Sequence, residues 1–206
     1  MGRALRETTL ATAMLLAGAA WTPVAAHPGH GPVLSPELVA SADRLDRIGA
    51  RLKRANAELC AAAGKGCDGR LIVSAQRQVN AWADGHNILV TQKMMQFARC
   101  DDELAFVVAH ELAHNLLGHA ARLRSTTALV GAHSADVAEQ SQGMEVEADA
   151  LAATLVVNAG FDIDAAAPFI ARSMHGRHPG SRTHPGAATR IAALRVAALQ
   201  HAEALL

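Results

Sequence analysis

Apolar residues recur along this chain mostly at helical spacing. Leu38, Leu45, Ile48, Leu52 and Leu59 fall on one face of a helix. Ser35-Pro36-Glu37 supplies its start: a side-chain cap, a proline at the first helical position, and an acid that favours the helix dipole. The pattern predicts one long amphipathic helix over residues 35–60, ended by Gly64, Gly66 and Gly69. Residues 71–79 and 87–91 predict two short strands, with Asp84-Gly85 as the turn signal between them. A short helix is predicted over 94–98. Asp101-Asp102-Glu103 then opens a helix reaching about Arg124, and its middle, residues 104–117, is apolar on nearly all sides. A helix of that kind is buried centrally, so each polar residue within it needs an explanation. Residues 125–142 form a polar, small-residue stretch with no predicted element. Further helices are predicted over 143–158, 164–174 and from Ala187 to the end, with a Gly/Pro/His-rich loop over 175–186. No internal repeat or domain boundary interrupts residues 35–206.

The first 26 residues read as a targeting segment. Arg3 and Arg6 precede an uncharged run over residues 8–20, which is short for a membrane span. Trp21-Thr22-Pro23 breaks that run. Val24-Ala25-Ala26 places small side chains for cleavage after Ala26, with an uncleaved anchor as the rival reading. Residues 27–34 are expected to be a mobile leader. No later stretch approaches a membrane span, so a periplasmic or secreted protein is expected. Export permits disulfides. Cys60 and Cys67 flank a Gly-rich segment that can close a small loop, leaving Cys100 as the odd thiol. Three reduced cysteines are the alternative.

Composition narrows the function. Lys+Arg and Asp+Glu both number 19, so there is no basic surplus of the kind a nucleic-acid binder or a polybasic membrane-surface protein carries. Aromatic residues are 3% of the chain and Tyr is absent, so packing rests on aliphatic residues.

The chemistry lies in His110-Glu111-Leu112-Ala113-His114. On a helix the two histidines differ by about 40° in azimuth and can reach one metal ion. Glu111 sits beside them, placed to take a proton from a water. A zinc hydrolase needs a third protein ligand and an open position. His119 lies nine residues after His110, about 180° round a continuous helix, and so faces away. The metzincin pattern would require Gly and His where Leu117 and Ala120 stand. Glu145 is the better candidate. Asp149 shares its helical face and can accept the free N–H of a metal-bound histidine. Glu147 lies about 200° from Glu145.

Together these residues resemble the gluzincin metallopeptidases related to the CAAX prenyl protease and HtpX. Three further segments carry the resemblance: Asn80-Ala81 with residues 82–91, Ala159-Gly160-Phe161-Asp162, and Thr183-His184-Pro185 with Arg190-Ile191. The likeness covers about residues 70–195 and is closest to a small periplasmic branch without membrane helices. It implies an α+β, zincin-like fold, mostly helical around a small sheet. It implies one Zn²⁺ per chain held by His110, His114 and Glu145, with Glu111 as general base and Asp149 behind the ligands. By its place in the Thr-His-Pro segment, His184 would stabilise the oxyanion or cap the zinc at rest; the absence of Tyr is a departure from the family. Arg190 would bind the substrate backbone or hold the loop of His184. Asn87, Ile88, Leu89 and Val90 would pair with an extended peptide by strand addition. The short stretch between His114 and Glu145 implies a reduced lid. The function implied is an endopeptidase of unfolded or misassembled envelope proteins. A zinc-bound chaperone or adaptor is the alternative, and a loose metal-binding module is a third reading. The expected partner is a protein or peptide substrate.

Overall fold

The computed structural model describes residues 35–64, 67–174 and 184–204. The expected signal segment and leader, and with them His175, His178 and Thr183, lie outside the described residues. The elements run α1 (Pro36–Ala55), α2 (Ala57–Ala62), β1 (Leu71–Ser74), β2 (Ala81–Ala83), β3 (Ile88–Thr91), α3 (Gln92–Phe97), α4 (Asp101–Leu116), α5 (His119–Val130) and α6 (Ala135–Asn158). A 3₁₀ turn (Ile163–Ala165), α7 (Ala166–Ser173) and α8 (Ala187–Ala204) follow. The architecture is α+β and zincin-like, with helices dominating a three-stranded sheet. No helix among the described residues is long and apolar enough to cross a membrane.

Helix α4 forms the centre of the molecule. It packs along α6, which in turn packs on α8, while α1 lies across α4 and β1. Ala105, Ala109 and Ala113 of α4 and Ala148 and Ala152 of α6 are completely buried. Small side chains let two helix axes approach closely, which is how a chain so poor in aromatics closes its core. Leu45 and Leu52 of α1, Leu104 and Val108 of α4, and Leu155 and Val156 of α6 fill the remaining volume.

The first helix is shorter than its hydrophobic pattern suggests. It stops at Asn56, which is 1% exposed. The Asn56 amide donates to the Leu52 and Leu155 carbonyls (2.9 and 3.0 Å), and its oxygen accepts from Asn158 (2.8 Å). A buried side chain so engaged ties α1 to α6 at the point where the helix re-starts as α2. Cys60 of α2 is bonded to Cys67, and Cys100 is free.

Strand β1 ends at Ser74, short of the predicted 79, and β2 is an element the alternation did not separate. The sheet order is β1-β3-β2, with β1 parallel and β2 antiparallel to β3. The Asp84-Gly85 turn therefore joins β2 to β3. Gly85 has φ 101°, a region that favours glycine, and Asp84 Oδ1 accepts the His86 and Asn87 N–H groups (2.9 and 2.7 Å).

Two helix boundaries also differ. The predicted helix 101–124 is broken at Gly118, whose φ of 68° is left-handed, and α5 begins at His119. Residues 125–142 are largely helical: α5 runs to Val130, and α6 starts at Ala135 behind Ser134, whose hydroxyl accepts the Val137 N–H (3.1 Å). Polar composition marked solvent-facing helix here rather than loop. The remaining helices agree with the apolar spacing to within a few residues, α3 starting at Gln92 and α7 following a 3₁₀ turn.

Candidate active site

His110 and His114 stand one turn apart on α4, and their Nε2 atoms converge to 3.1 Å. Glu145 reaches them from α6, with Oε2 3.6 Å from His110 Nε2 and Oε1 3.5 Å from His114 Nε2. A tetrahedral zinc with ligands at ~2.0–2.1 Å places neighbouring ligand atoms about 3.3 Å apart. All three separations are close to that edge, and two imidazoles with one carboxylate are the donor set of a catalytic rather than a closed structural site. His110, His114 and Glu145 are the group among the described residues whose ligand atoms are spaced to hold a metal ion.

The ligands are themselves held in orientation. Asp149, completely buried one turn after Glu145, places Oδ1 3.0 Å from His110 Nδ1. Arg190 of α8 clamps the same carboxylate with Nε on Oδ2 (2.7 Å) and Nη2 on Oδ1 (2.6 Å), and its Nη1 lies 3.5 Å from Glu145 Oε2. Burial opposes charge on both carboxylates. Arg190 and His110 outweigh it, holding Asp149 below the usual carboxylate range and Glu145 at about 2. Burial and His110 lower the His114 pKa to about 3, leaving a neutral imidazole with a lone pair to offer. Burial and Arg190 also oppose charge on His110, but hydrogen bonds to Asp149 and Glu145 push its pKa up to about 9.

Glu111 faces the sheet. The backbone of Ala83 in β2 lies beside its carboxylate and favours the ionised form. Burial and the neighbouring Glu145 raise its pKa to about 7 against the pull of His110 and Arg190. A carboxyl poised near neutrality suits a general base. A cavity of about 650 Å³ opens over these groups, with Phe106, Phe169, Ile170 and Met174 on its apolar side.

The model of peptidase family M48 matches residues 46–139, a span holding the H-E-x-x-H helix and the whole sheet. Over that span the chain is similar to peptidase family M48. The likeness supports a metallopeptidase, a hydrolase acting on protein or peptide substrates. No curated protein matches the chain.

The remaining candidates fall as follows. His184, half-exposed, stands at the rim with Nε2 3.7 Å from Glu145 Oε1. Arg190, expected to bind the substrate backbone or hold the loop of His184, is turned onto Asp149, its side chain 12% exposed. The strand-pairing role expected of Asn87, Ile88, Leu89 and Val90 needs correction: β3 is the central strand, hydrogen-bonded on both sides, so it has no open edge. The edge strands are β1 and β2, and β2 is the one that packs on α4 and lines the cavity. The Asp84 N–H donates to the Asn87 carbonyl and the Thr91 N–H to the Asn80 carbonyl. Antiparallel pairing alternates, so the main-chain groups of Ala81 and Ala83 point away from β3, towards Glu111.

Two participants escaped sequence reasoning. His119 does not face away: the break at Gly118 returns its Nδ1 to 2.8 Å from His114 Nδ1. Asn115 grips the β2–β3 turn. The signal available for His119 was Gly118, the one residue on that helix suited to a left-handed conformation.

Proposed function

We propose that this metallopeptidase is a zinc-dependent endopeptidase, exported to the cell envelope, that cleaves extended segments of unfolded or misassembled proteins. The observation that carries the catalytic reading is the convergence of His110, His114 and Glu145, with Glu111 beside them in the same cavity. A zinc ion at these residues would supply Lewis acidity to a water and to the scissile carbonyl. Glu111 takes the water's proton at its carboxylate and returns it to the leaving amine nitrogen. The outward main-chain groups of Ala81 and Ala83 align an extended backbone over α4 by strand pairing, which reads side chains weakly. His184, at the rim of the cavity, would donate to the developing oxyanion. Export draws support from the Arg3/Arg6, apolar-run and Val24-Ala25-Ala26 pattern.

The test is zinc content and casein cleavage by protein lacking residues 1–26, as wild type and Glu111→Gln. Bound zinc in both, with cleavage lost only in the variant, is the expected result. Absence of tightly held zinc would remove the basis of the reading. The 3.7 Å approach of His184 to Glu145 favours one second reading, a zinc-bound chaperone or adaptor with His184 closing the site. Zinc without cleavage by wild type or His184→Ala would select it.

A further inference from the structure

The two histidines of the metal centre are supported differently. Behind His110 stands a carboxylate, Asp149. Behind His114 stands another imidazole. We propose that His119 is a positioning residue for His114, the middle of a hydrogen-bonded relay that runs from the metal ligand through His119 to Glu147 and Arg122. The inference rests on the metal-binding reading of His110, His114 and Glu145, and goes beyond it in assigning what orients the second ligand.

The proton positions follow from the geometry. His114 Nε2 points at His110 Nε2 and Glu145, so its lone pair is needed there and its hydrogen must be on Nδ1. That Nδ1 lies 2.8 Å from His119 Nδ1, which must therefore accept. His119 then carries its hydrogen on Nε2, 3.2 Å from Glu147 Oε2. Glu147 is anchored in turn by Arg122 (2.7 Å). Every polar atom of an imidazole only 3% exposed is thus used, and in one direction only. A carboxylate-backed acceptor fixes the ring of a metal-ligating histidine and raises its basicity.

The backbone is built to allow this. On an unbroken helix His119 would stand about 140° from His114. The left-handed Gly118 ends α4 and restarts the chain as α5, which swings His119 back beneath His114. Glu147 serves because it lies on the face of α6 opposite Glu145, the face that meets α5. One helix therefore supplies a ligand from one side and the end of the relay from the other.

The test is cobalt(II) titration of the metal-free full domain against a competing chelator, read by the visible spectrum. His119→Leu removes the acceptor and should weaken cobalt binding ~10–100-fold, with altered visible bands. His119→Asn places its Oδ1 where Nδ1 stood and should recover most of that affinity. Glu147→Gln should weaken binding in the wild-type background but not in His119→Asn, which cannot reach Glu147. Leu and Asn variants equally impaired, or Leu binding like wild type, would overturn the relay. If His119→Leu does not fold, the Glu147→Gln comparison in the two backgrounds decides, and equal losses in both overturn it. Wild-type protein that takes up no cobalt would overturn the metal reading itself, and the relay with it.

Discussion

Asn115 Oδ1 accepts a hydrogen bond from the Gly85 N–H at 2.8 Å, and its Nδ2 reaches the Asn87 carbonyl at 3.3 Å. The residue directly after His114 therefore grips the turn between β2 and β3. Helix α4 and strand β2 are held in register by one amide side chain, 7% exposed.

Replacing Asn115 with Ala frees that turn while leaving the three metal ligands in place. Metal content should be unchanged, kcat/KM should fall about tenfold through misplacement of the strand, and stability should drop by about 1–2 kcal/mol. Metal analysis alongside steady-state kinetics checks this; lost metal would show that Asn115 supports the centre rather than the strand.

Glu111→Gln should keep the metal and lower the cleavage rate by roughly 10²–10⁴-fold, the contribution of a positioned general base. The base must be ionised to act. Burial raises its pKa to about 7 in the metal-free site, and a cation at the adjacent ligands would pull that value down. The wild-type kcat/KM should therefore fall as pH drops, with the acidic limb centred below 7. A rate rising towards acid would contradict this assignment.

Arg190 distinguishes an inward role from a substrate-side one. Its guanidinium neutralises the buried Asp149. Arg190→Met should destabilise the protein by about 1–3 kcal/mol, the loss of charge-assisted hydrogen bonds to a carboxylate that His110 still faces. A variant of wild-type stability and metal content, altered only in KM, would return Arg190 to the substrate.

Away from the site, Glu103 joins α4 to α7. It is 5% exposed, accepts from the Arg99 N–H (2.8 Å) and pairs with Arg172 (2.7 Å). Burial would raise its pKa, but Arg172 and the Arg99 N–H outweigh it and hold the carboxyl below its ordinary value. A folded-state pKa below the unfolded one adds stability above the unfolded value of about 4.3, and that stability is lost as pH falls through the folded value. Glu103→Gln should thus cost about 1–3 kcal/mol near neutrality and converge on wild type in acid. Urea unfolding at pH 7 and below pH 4 measures the difference.

What the sequence alone determined was local. His110, Glu111 and His114 are placed on one helical turn by spacing, and the apolar run around them marks that helix as buried. The Ser35 start of α1 and the Asp84-Gly85 turn are likewise short-range signals, each within a few residues of the atoms it organises. Glu145 and Asp149 were legible as a matching helical face, but only the close Ala-lined packing of α4 on α6 brings Glu145 to the histidines. Three features were decided by tertiary structure. Strand order made β3 central and left β2 as the edge beside α4, because pairing depends on which strands meet and not on their own alternation. The exposed helices within residues 125–142 lack an apolar stripe, so periodicity could not reveal them. His119 was excluded by an azimuth that holds only for an unbroken helix. A single left-handed glycine reversed that result, since a change of one backbone conformation redirects everything after it.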